Sequence, residues 1–183
     1  ISCRVTMTTL RRFVMDDLFK ISNINLDHLT ETFSMAFYMD YMVRYPDYFK
    51  CVEGANGDIM GYVIGKAEGR HHLLHGHVSA VTVAPTYRRL GLADLLMNDL
   101  ENVSIKQYNA YFVDLFVRAS NSAAIKMYKK FGYSVYRRIL GYYSSPGNKE
   151  DGLDMRKAMP RDKKKKSIIP LEHPIHPSEL EFD

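Results

Sequence analysis

Cysteine is scarce in this chain, long apolar runs are absent, and charge of one sign is concentrated in a single patch. Only Cys3 and Cys51 occur. Two isolated cysteines exclude a disulfide framework and a cysteine-based zinc site, and they fit a reducing compartment. No stretch reaches the roughly 18 consecutive apolar residues that a membrane span needs. Ile1 to Thr6 lacks the apolar segment of a signal peptide, so the expectation is a natural start at Met7, with residues 1–6 a leader or cloning remnant. The net charge is +4, but the run Lys163–Lys166 carries much of that excess. The basic balance therefore describes the C-terminal segment more than the domain, and is a weak pointer to nucleic acid. There is no internal repeat and no Gly-Lys-Ser/Thr phosphate loop, and only one of the three glycines of a dinucleotide fingerprint is present.

What is present is a chain of 183 residues, which is one domain, or one domain and a tail, with enough length to bury a core. Leu10–Phe13 reads as a first strand. Asp16 and Asp17 suit the start of a helix through Leu18, Phe19 and Ile21. Residues 27–44 are rich in methionine and aromatics and read as one or two short helices with a turn. Phe49–Val52 and Met60–Glu68 read as strands joined by the hairpin signal Asn56-Gly57-Asp58. A loop over 69–74 precedes a strand over 76–83, and a helix is expected from Gly91 to about Ile105. Tyr111–Arg118 is nearly all apolar, as in a strand covered on both faces. Asn121 is a good cap for a helix over 122–131, which Gly132 stops. Ser134–Arg138 and Leu153–Lys157 read as strands around a long turn, Gly141–Gly152. After Pro160 a lysine run and three prolines predict an extended, unpacked tail. The order is that of a mixed α/β fold.

One stretch carries chemistry. The strand ends at Val81-Thr82-Val83-Ala84-Pro85, and Tyr87-Arg88-Arg89-Leu90-Gly91-Leu92-Ala93-Asp94 then opens a helix. His77, Ser79, Val81 and Val83 alternate onto one strand face, with Val78, Ala80 and Thr82 on the other. Leu92, Leu95, Leu96, Leu100 and Val103 fall on one helical face, opposite Asn98, Asp99 and Asn102. Helix N-termini present N–H groups without intrahelical acceptors and bind phosphates. Gly91 permits close approach, and Arg88 and Arg89 add charge. Two readings stand on spacing alone: a phosphate site, or an ordinary helix start with surface arginines.

Arg88-Arg89-Leu90-Gly91-Leu92-Ala93 resembles the R/Q-x-x-G-x-G/A signature of the GNAT acetyltransferases. Val117–Ala124 and Met127–Tyr133 resemble their second cofactor motif. Together with LTETF (29–33), GYVIGKAEG (61–69), YFVDLFVRASN (111–121), GYSVYRR (132–138), YYS (142–144) and the segment 154–174, the chain from Met7 onward is similar to catalytic subunits of N-terminal acetyltransferase B. The resemblance implies a GNAT fold: a mixed central sheet of about seven strands, splayed at its centre, with about four helices. The domain would span 7–160, followed by a basic, proline-rich tail, 161–183.

It further implies acetyl-CoA as co-substrate and direct transfer, without a covalent enzyme intermediate, to the α-amine of nascent chains beginning Met-Asp, Met-Glu, Met-Asn or Met-Gln. Val81 and Val83 would bind the pantetheine through their backbones, with the Val83 N–H as oxyanion donor. Arg88, Arg89, Gly91, Leu92, Ala93 and Asp94 would surround the pyrophosphate. Asn121 would hold the pantetheine arm, and Tyr128 would protonate the departing sulfur. Glu31, Phe33, His77, Ser79, Tyr142 and Tyr143 would receive the peptide. Phe33 stands where the family usually has tyrosine, which removes a hydrogen bond and keeps stacking. His77 has two candidate roles: donor to the substrate's second side chain, or proton relay through water. Pattern alone leaves Tyr128 as a core tyrosine, Ser79 as a buried serine on backbone and His77 as a structural histidine.

Four histidines, His71, His72, His75 and His77, invite a metal. No cysteine or carboxylate is spaced to complete a tetrahedral set, so none is expected. The expected partners are a large helical-repeat auxiliary subunit meeting the Met/aromatic first helices, nascent N-termini and, indirectly, the ribosome. Neither a membrane nor direct DNA binding is expected. The place would be the cytoplasm, with the nucleus as a second. For Lys163–Lys166, a solvated tail, a nuclear-import patch and partner or ribosomal RNA contact all stand. The other readings are a GNAT enzyme acting on lysine or small amines, and a non-catalytic acyl-CoA- or partner-binding subunit.

Overall fold

The computed structural model describes residues 8–26, 30–145 and 148–180. The expectations for the leader 1–6 and part of the segment after Leu26 lie outside the described residues. The strands are β1 (Thr8–Arg12), β2 (Lys50–Gly54), β3 (Ile59–Glu68), β4 (His75–Val83), β5 (Phe112–Arg118), β6 (Ser134–Ser145) and β7 (Asn148–Ala158). The helices are α1 (Ser22–Asn25), α2 (Met35–Arg44), α3 (Leu92–Lys106) and α4 (Ser122–Lys130). The sheet order is β1-β2-β3-β4-β5-β7-β6. The chain divides into two compact units, Ile1–Lys66 with Ser79–Val103, and Ala67–Val78 with Ser104–Asp183.

In the first unit β1 and β3 flank β2, both antiparallel to it. The turn between β2 and β3 closes as expected: Gly57, at φ +83°, donates its N–H to the Gly54 carbonyl at 2.9 Å. The Ala84 N–H donates to the Met60 carbonyl at 2.9 Å, tying β3 to the end of β4. A Cβ at Gly61 would sit 2.8 Å from the Thr82 carbonyl oxygen, so glycine is what lets these backbones approach. The core gathers Phe13, Ile21, Ile24, Tyr38, Tyr41, Phe49, Tyr62 and Ile64. Phe13 stacks on Phe49 at 4.2 Å between centroids. Burying rings of this kind stabilises the fold by about 1.5–3 kcal/mol each. The Tyr62 hydroxyl donates to Asn25 Oδ1 at 2.8 Å, so the ring enters the core with its polar end satisfied.

The helix expected after Asp16 is instead a tight 3-10 turn, Met15–Phe19, followed by the four-residue α1. The cause is Asp17. Its carboxylate accepts the Val14 N–H at 2.9 Å and both Arg11 Nη groups at 2.7 and 2.8 Å, which fixes a single turn to β1. The Met/aromatic stretch yields one ten-residue helix, α2, begun by Ser34, whose Oγ accepts the Phe37 N–H. On α3, Leu92, Leu96, Leu100 and Val103 are buried, but Leu95 is exposed and Met97 takes the core position.

In the second unit β4 pairs in parallel with β5 from His75↔Phe112 to Val78↔Leu115, and β7 lies between β5 and β6, antiparallel to both. The long turn expected over 141–152 is mostly strand. Register shifts after Val135 and Ile139 absorb extra residues, Gly141 takes φ +59°, and Gly152 lies against the Tyr142 ring. Those glycines mark a bulge and a close approach within a hairpin, not a loop.

The tail is extended as expected but not unpacked. Asp162 caps its turn, accepting the N–H groups of Lys166 at 3.1 Å and Ser167 at 2.8 Å. Leu171 and Ile175 then donate to the Tyr136 and Arg138 carbonyls, and the Ile175 carbonyl accepts the Leu140 N–H. The tail satisfies backbone groups on β6 that would otherwise form a bare sheet edge.

Candidate active site

After Val83 the chain makes one 3-10 turn, Pro85–Tyr87, then reverses before α3. Arg89 stands at φ +65° and Gly91 at φ +80°. Left-handed residues alternating with ordinary ones turn successive N–H groups to one side, the arrangement that receives anions. A Cβ built on Gly91 meets no atom within 4 Å, so the space in front of this glycine is open. The first bond of α3 runs from the Leu95 N–H to the Gly91 carbonyl at 3.0 Å. The N–H groups of Leu92, Ala93 and Asp94 precede it and have no acceptor within the helix. Arg88 and Arg89 are exposed, and Arg88 Nε donates to the Val83 carbonyl at 3.3 Å, so this guanidinium folds back over the end of β4. Val81 and Val83 are half-buried just before it.

On the same unit, Ser79 Oγ and the Tyr41 hydroxyl hydrogen-bond at 2.9 Å, and Thr82 Oγ1 meets Thr30 Oγ1 at 2.9 Å. The bond of Ser79 is thus to a side chain on α2, not to backbone. Phe33 stacks on Phe37 at 4.2 Å, and Phe37 lies 4.4 Å from Tyr41. The missing hydroxyl at Phe33 is therefore compatible with its place in an aromatic cluster. Glu31 is exposed two residues before it.

In the second unit Asn121 Oδ1 accepts the Ala124 N–H at 3.0 Å, the helix cap expected from its position. Tyr128 is 8% exposed and meets Phe131 and Tyr133 edge-on. Burial pushes its phenol pKa up, so it is a protonated donor at neutral pH. His77, Tyr142 and Tyr143 are brought together by a residue that sequence reasoning missed. The Phe116 ring lies 5.2 Å from His77 and 5.0 Å from Tyr142, and Tyr142 lies 5.0 Å from Tyr143. The Arg118 guanidinium covers Tyr143 at 4.3 Å and pairs with Glu150. Burial, and then the charges of Asp114 and Glu68, push the Tyr142 phenol up as well.

His77 Nδ1 lies 2.9 Å from Asp114 Oδ1. His77 lines a cavity of about 590 Å³ that Glu68, His75 and Asp114 share, with Leu171 and Leu180 of the tail on its wall. Burial alone would push the Asp114 carboxyl pKa up. The opposing pull of His77, His75 and Arg156 outweighs it and holds the carboxyl below its ordinary value. Glu68, His75 and His77 offer ligand-type atoms within 4.8 Å of one another. One carboxylate, Glu68 of β3, thus stands beside the two histidines of β4, a neighbour that spacing along the sequence did not show, and these three groups alone do not make a tetrahedral set. The imidazoles are nevertheless engaged in hydrogen bonds. His75 Nδ1 is 2.6 Å from the Leu73 carbonyl, and His77 Nδ1 is on Asp114.

An α/β protein whose fourth strand leads through a left-handed turn into an anion-receiving helix terminus is the class these features define. The pattern of the Acetyltransferase (GNAT) family matches residues 15–133, and the chain belongs to that family. It is 61% identical over 177 residues to the N-terminal acetyltransferase B complex catalytic subunit NAA20 of Arabidopsis thaliana, covering 97% of this chain and 100% of that one. Among solved structures it is similar to Naa20 of Chaetomium thermophilum in complex with a bisubstrate analogue: TM-score 0.86, 42% identity, 93% of this chain and 97% of that one. It is also similar to a chain of a NatB acetyltransferase complex bound to CoA and MES: TM-score 0.76, 40% identity, 83% and 99% covered.

Proposed function

We propose that this chain is the catalytic subunit of an N-terminal acetyltransferase B complex, moving acetyl from acetyl-CoA to the α-amine of proteins that begin Met-Asp, Met-Glu, Met-Asn or Met-Gln. The observation that carries this reading is 61% identity along 97% of the chain to a subunit named for that complex. The open, left-handed turn at Arg89–Gly91 supports the donor side. N–H groups of Gly91, Leu92, Ala93 and Asp94 receive the pyrophosphate, with the charges of Arg88 and Arg89 around it. The carboxylate of Asp94 has no proton to donate to a phosphate oxygen, so its part is played by its backbone N–H. Backbone groups of Val81 and Val83 hold the pantetheine, and the Val83 N–H donates to the carbonyl oxygen as charge develops there. Asn121 Oδ1 serves the helix cap, so its amide nitrogen is the group that meets the pantetheine arm.

An α-amine has a pKa near about 8, so a useful fraction is neutral at pH 7 and only mild proton removal is required. Attack is direct. Tyr128, kept protonated by burial, donates to the sulfur as it leaves. Glu31, Phe33, Ser79, Tyr142 and Tyr143 bound the acceptor N-terminus, with His77 facing its second residue. The exposed apolar side chains Phe19, Leu26, Met35 and Val43 form the surface for the large helical auxiliary subunit. The setting is the cytoplasm at the ribosome, with the nucleus as a second site and Lys163–Lys166 as a contact for partner or RNA.

The test is a steady-state assay of the chain with its auxiliary subunit, acetyl-CoA and peptides varied at the first two positions. Turnover confined to the four Met-acidic and Met-amide starts is expected. Turnover on internal lysine alone, or none with the auxiliary subunit present, overturns the reading.

A further inference from the structure

The hairpin of β6 and β7 runs on past the strand that supports it. Pairing of β5 with β7 ends at Arg118↔Gly152, and the Ala119 N–H adds one more bond, to the Asp151 carbonyl at 2.9 Å. Beyond that point the hairpin pairs with no third strand among the described residues, and its arm consists of Tyr143↔Glu150, Ser144↔Lys149 and Ser145↔Asn148. A two-stranded ribbon is marginal on its own. The base of the arm is held by Asp151, whose Oδ1 accepts the Gly141 N–H at 2.9 Å and whose Oδ2 accepts Arg138 Nη1 at 3.2 Å. Farther out, one half-buried side chain ties the arm to a different element. Glu150 Oε1 accepts the Ser120 N–H at 2.9 Å, and Oε2 accepts Arg118 Nη1 at 3.2 Å. Hydrogen bonds from Ser120, then from Arg118, hold this carboxyl below its ordinary value, so it is ionised at neutral pH. The Arg118 guanidinium lies 4.3 Å from the ring centroid of Tyr143, the residue directly across the ladder from Glu150. The turn between β5 and α4 has supports of its own: the Asn121 N–H donates to the Arg118 carbonyl at 2.9 Å, and Asn121 Oδ1 caps the helix. All of these groups belong to the second unit.

We infer that Glu150 is a positioning residue for the acceptor peptide: it latches the hairpin arm that carries Tyr143 to the turn that presents Asn121. The inference rests on the function proposed above, which gives the tyrosine pair to the peptide and Asn121 to the pantetheine. The two tyrosines differ in what holds them. Tyr142 lies in the supported part of the hairpin, with its ring 5.0 Å from Phe116 and against Gly152. Tyr143 begins the unsupported part and depends on the latch. The carboxylate works through two donors at once. Its bond to the Ser120 N–H fixes the arm to backbone, which moves less than a side chain. Its bond to Arg118 keeps that cation over the Tyr143 ring, which sets the ring's orientation. Without the carboxylate, cation and ring lose their shared anchor, and the arm spends less time where Tyr143 can meet a peptide. Glu150 itself touches neither substrate and acts through Tyr143. Because the Asn121 turn closes without it, the latch bears on the peptide and not on acetyl-CoA.

The experiment uses the complex with its auxiliary subunit, acetyl-CoA and a Met-Asp peptide. Glu150→Ala removes both acceptor oxygens and leaves Arg118 and Tyr143 in place. Expected is a rise in peptide KM of about ten-fold with kcat and the dissociation constant for CoA each within about three-fold, as for lost binding that ground and transition states share. Hydrogen exchange should quicken at the amides of 143–145 and 148–150 and stay slow along β5. Glu150→Gln keeps one oxygen for the Ser120 N–H but no charge for Arg118, and its peptide KM should fall between those of wild type and alanine. A Glu150→Ala enzyme with the wild-type peptide KM, or with an arm that exchanges at the wild-type rate, overturns the inference and leaves the proposed function standing. An equal loss of affinity for peptide and CoA marks a general structural defect and also overturns it. A wild-type complex inactive on the peptide overturns both. If Glu150→Ala does not fold, Glu150→Gln decides by the same comparison: a raised peptide KM with unchanged CoA affinity supports the latch, and an unmoved peptide KM overturns it.

Discussion

Gly91→Ala separates what the entrance turn does for the fold from what it does for the donor. Gly91 stands at φ +80°, where a Cβ costs about 1–2 kcal/mol. The added methyl meets no protein atom within 4 Å, so no packing penalty adds to that cost. For a chain of this size a loss of that order lowers the melting temperature by roughly 2–8 °C. The same methyl occupies the space through which a pyrophosphate reaches the N–H groups of Leu92, Ala93 and Asp94. Loss of even one charge-assisted hydrogen bond, about 1.5–3 kcal/mol, raises the dissociation constant for acetyl-CoA by roughly ten-fold or more. Calorimetric titration with CoA, with a thermal melt of the free protein alongside, reads the two effects separately. Gly69→Ala is the comparison, because it combines φ +74° with a collision against the Leu73 carbonyl and should cost stability without a specific loss of CoA affinity. A Gly91→Ala protein that melts lower but binds CoA as before would refute the assignment of the entrance, and a much larger loss of stability would refute the claim of open space.

Tyr128→Phe should lower kcat by at least about 100-fold with CoA binding kept, since it removes only the protonated phenol oxygen; presteady-state acetyl transfer checks it. Tyr41→Phe frees Ser79 Oγ from its 2.9 Å partner, and should cost about 0.5–1.5 kcal/mol in urea melts while raising the peptide KM. Asp17 bears on acid stability. Burial raises its carboxyl pKa, but the Arg11 and Val14 hydrogen bonds outweigh this and hold it below the ordinary value. Its contribution is therefore present above the unfolded pKa and lost as pH falls through the folded one, so an Asp17→Asn protein should show a shallower acid limb in stability against pH. Asp162→Ala should expose the Lys166 and Ser167 amides to hydrogen exchange while leaving those of β5 protected.

The elements set by local chemistry were legible in the sequence. Asn56-Gly57-Asp58 reads as a hairpin turn because Gly57 takes a positive φ there, and Asn121 reads as a helix cap because its Oδ1 accepts the Ala124 N–H. What could not be read depends on groups far apart in the chain. Asp17 makes a tight turn where a helix is expected because Arg11 lies across from it on β1. Gly141 and Gly152 look like loop punctuation and become strand because β6 and β7 share a bulged ladder. The tail looks solvated until the open backbone of β6 accepts it. At the site, the motif residues from Arg88 to Asp94 stand out because they are contiguous. Asp114, Phe116 and Tyr41 do not, because their partners His77, Tyr142 and Ser79 lie 37, 26 and 38 residues away. In sequence Asp114 is one polar residue in an apolar strand. That interruption of YFVDLFV is the one local signal that a buried charge has a specific partner.

The central claim is that the acceptor is an α-amine following a particular pair of residues. A peptide beginning Met-Asp and carrying an internal lysine presents both amines to one enzyme. Tandem mass spectrometry after a single-turnover reaction with acetyl-CoA and the auxiliary subunit should find the acetyl group on the α-amine, with the product lost when the second residue becomes alanine. Acetyl on the lysine side chain, with the α-amine untouched, contradicts the account.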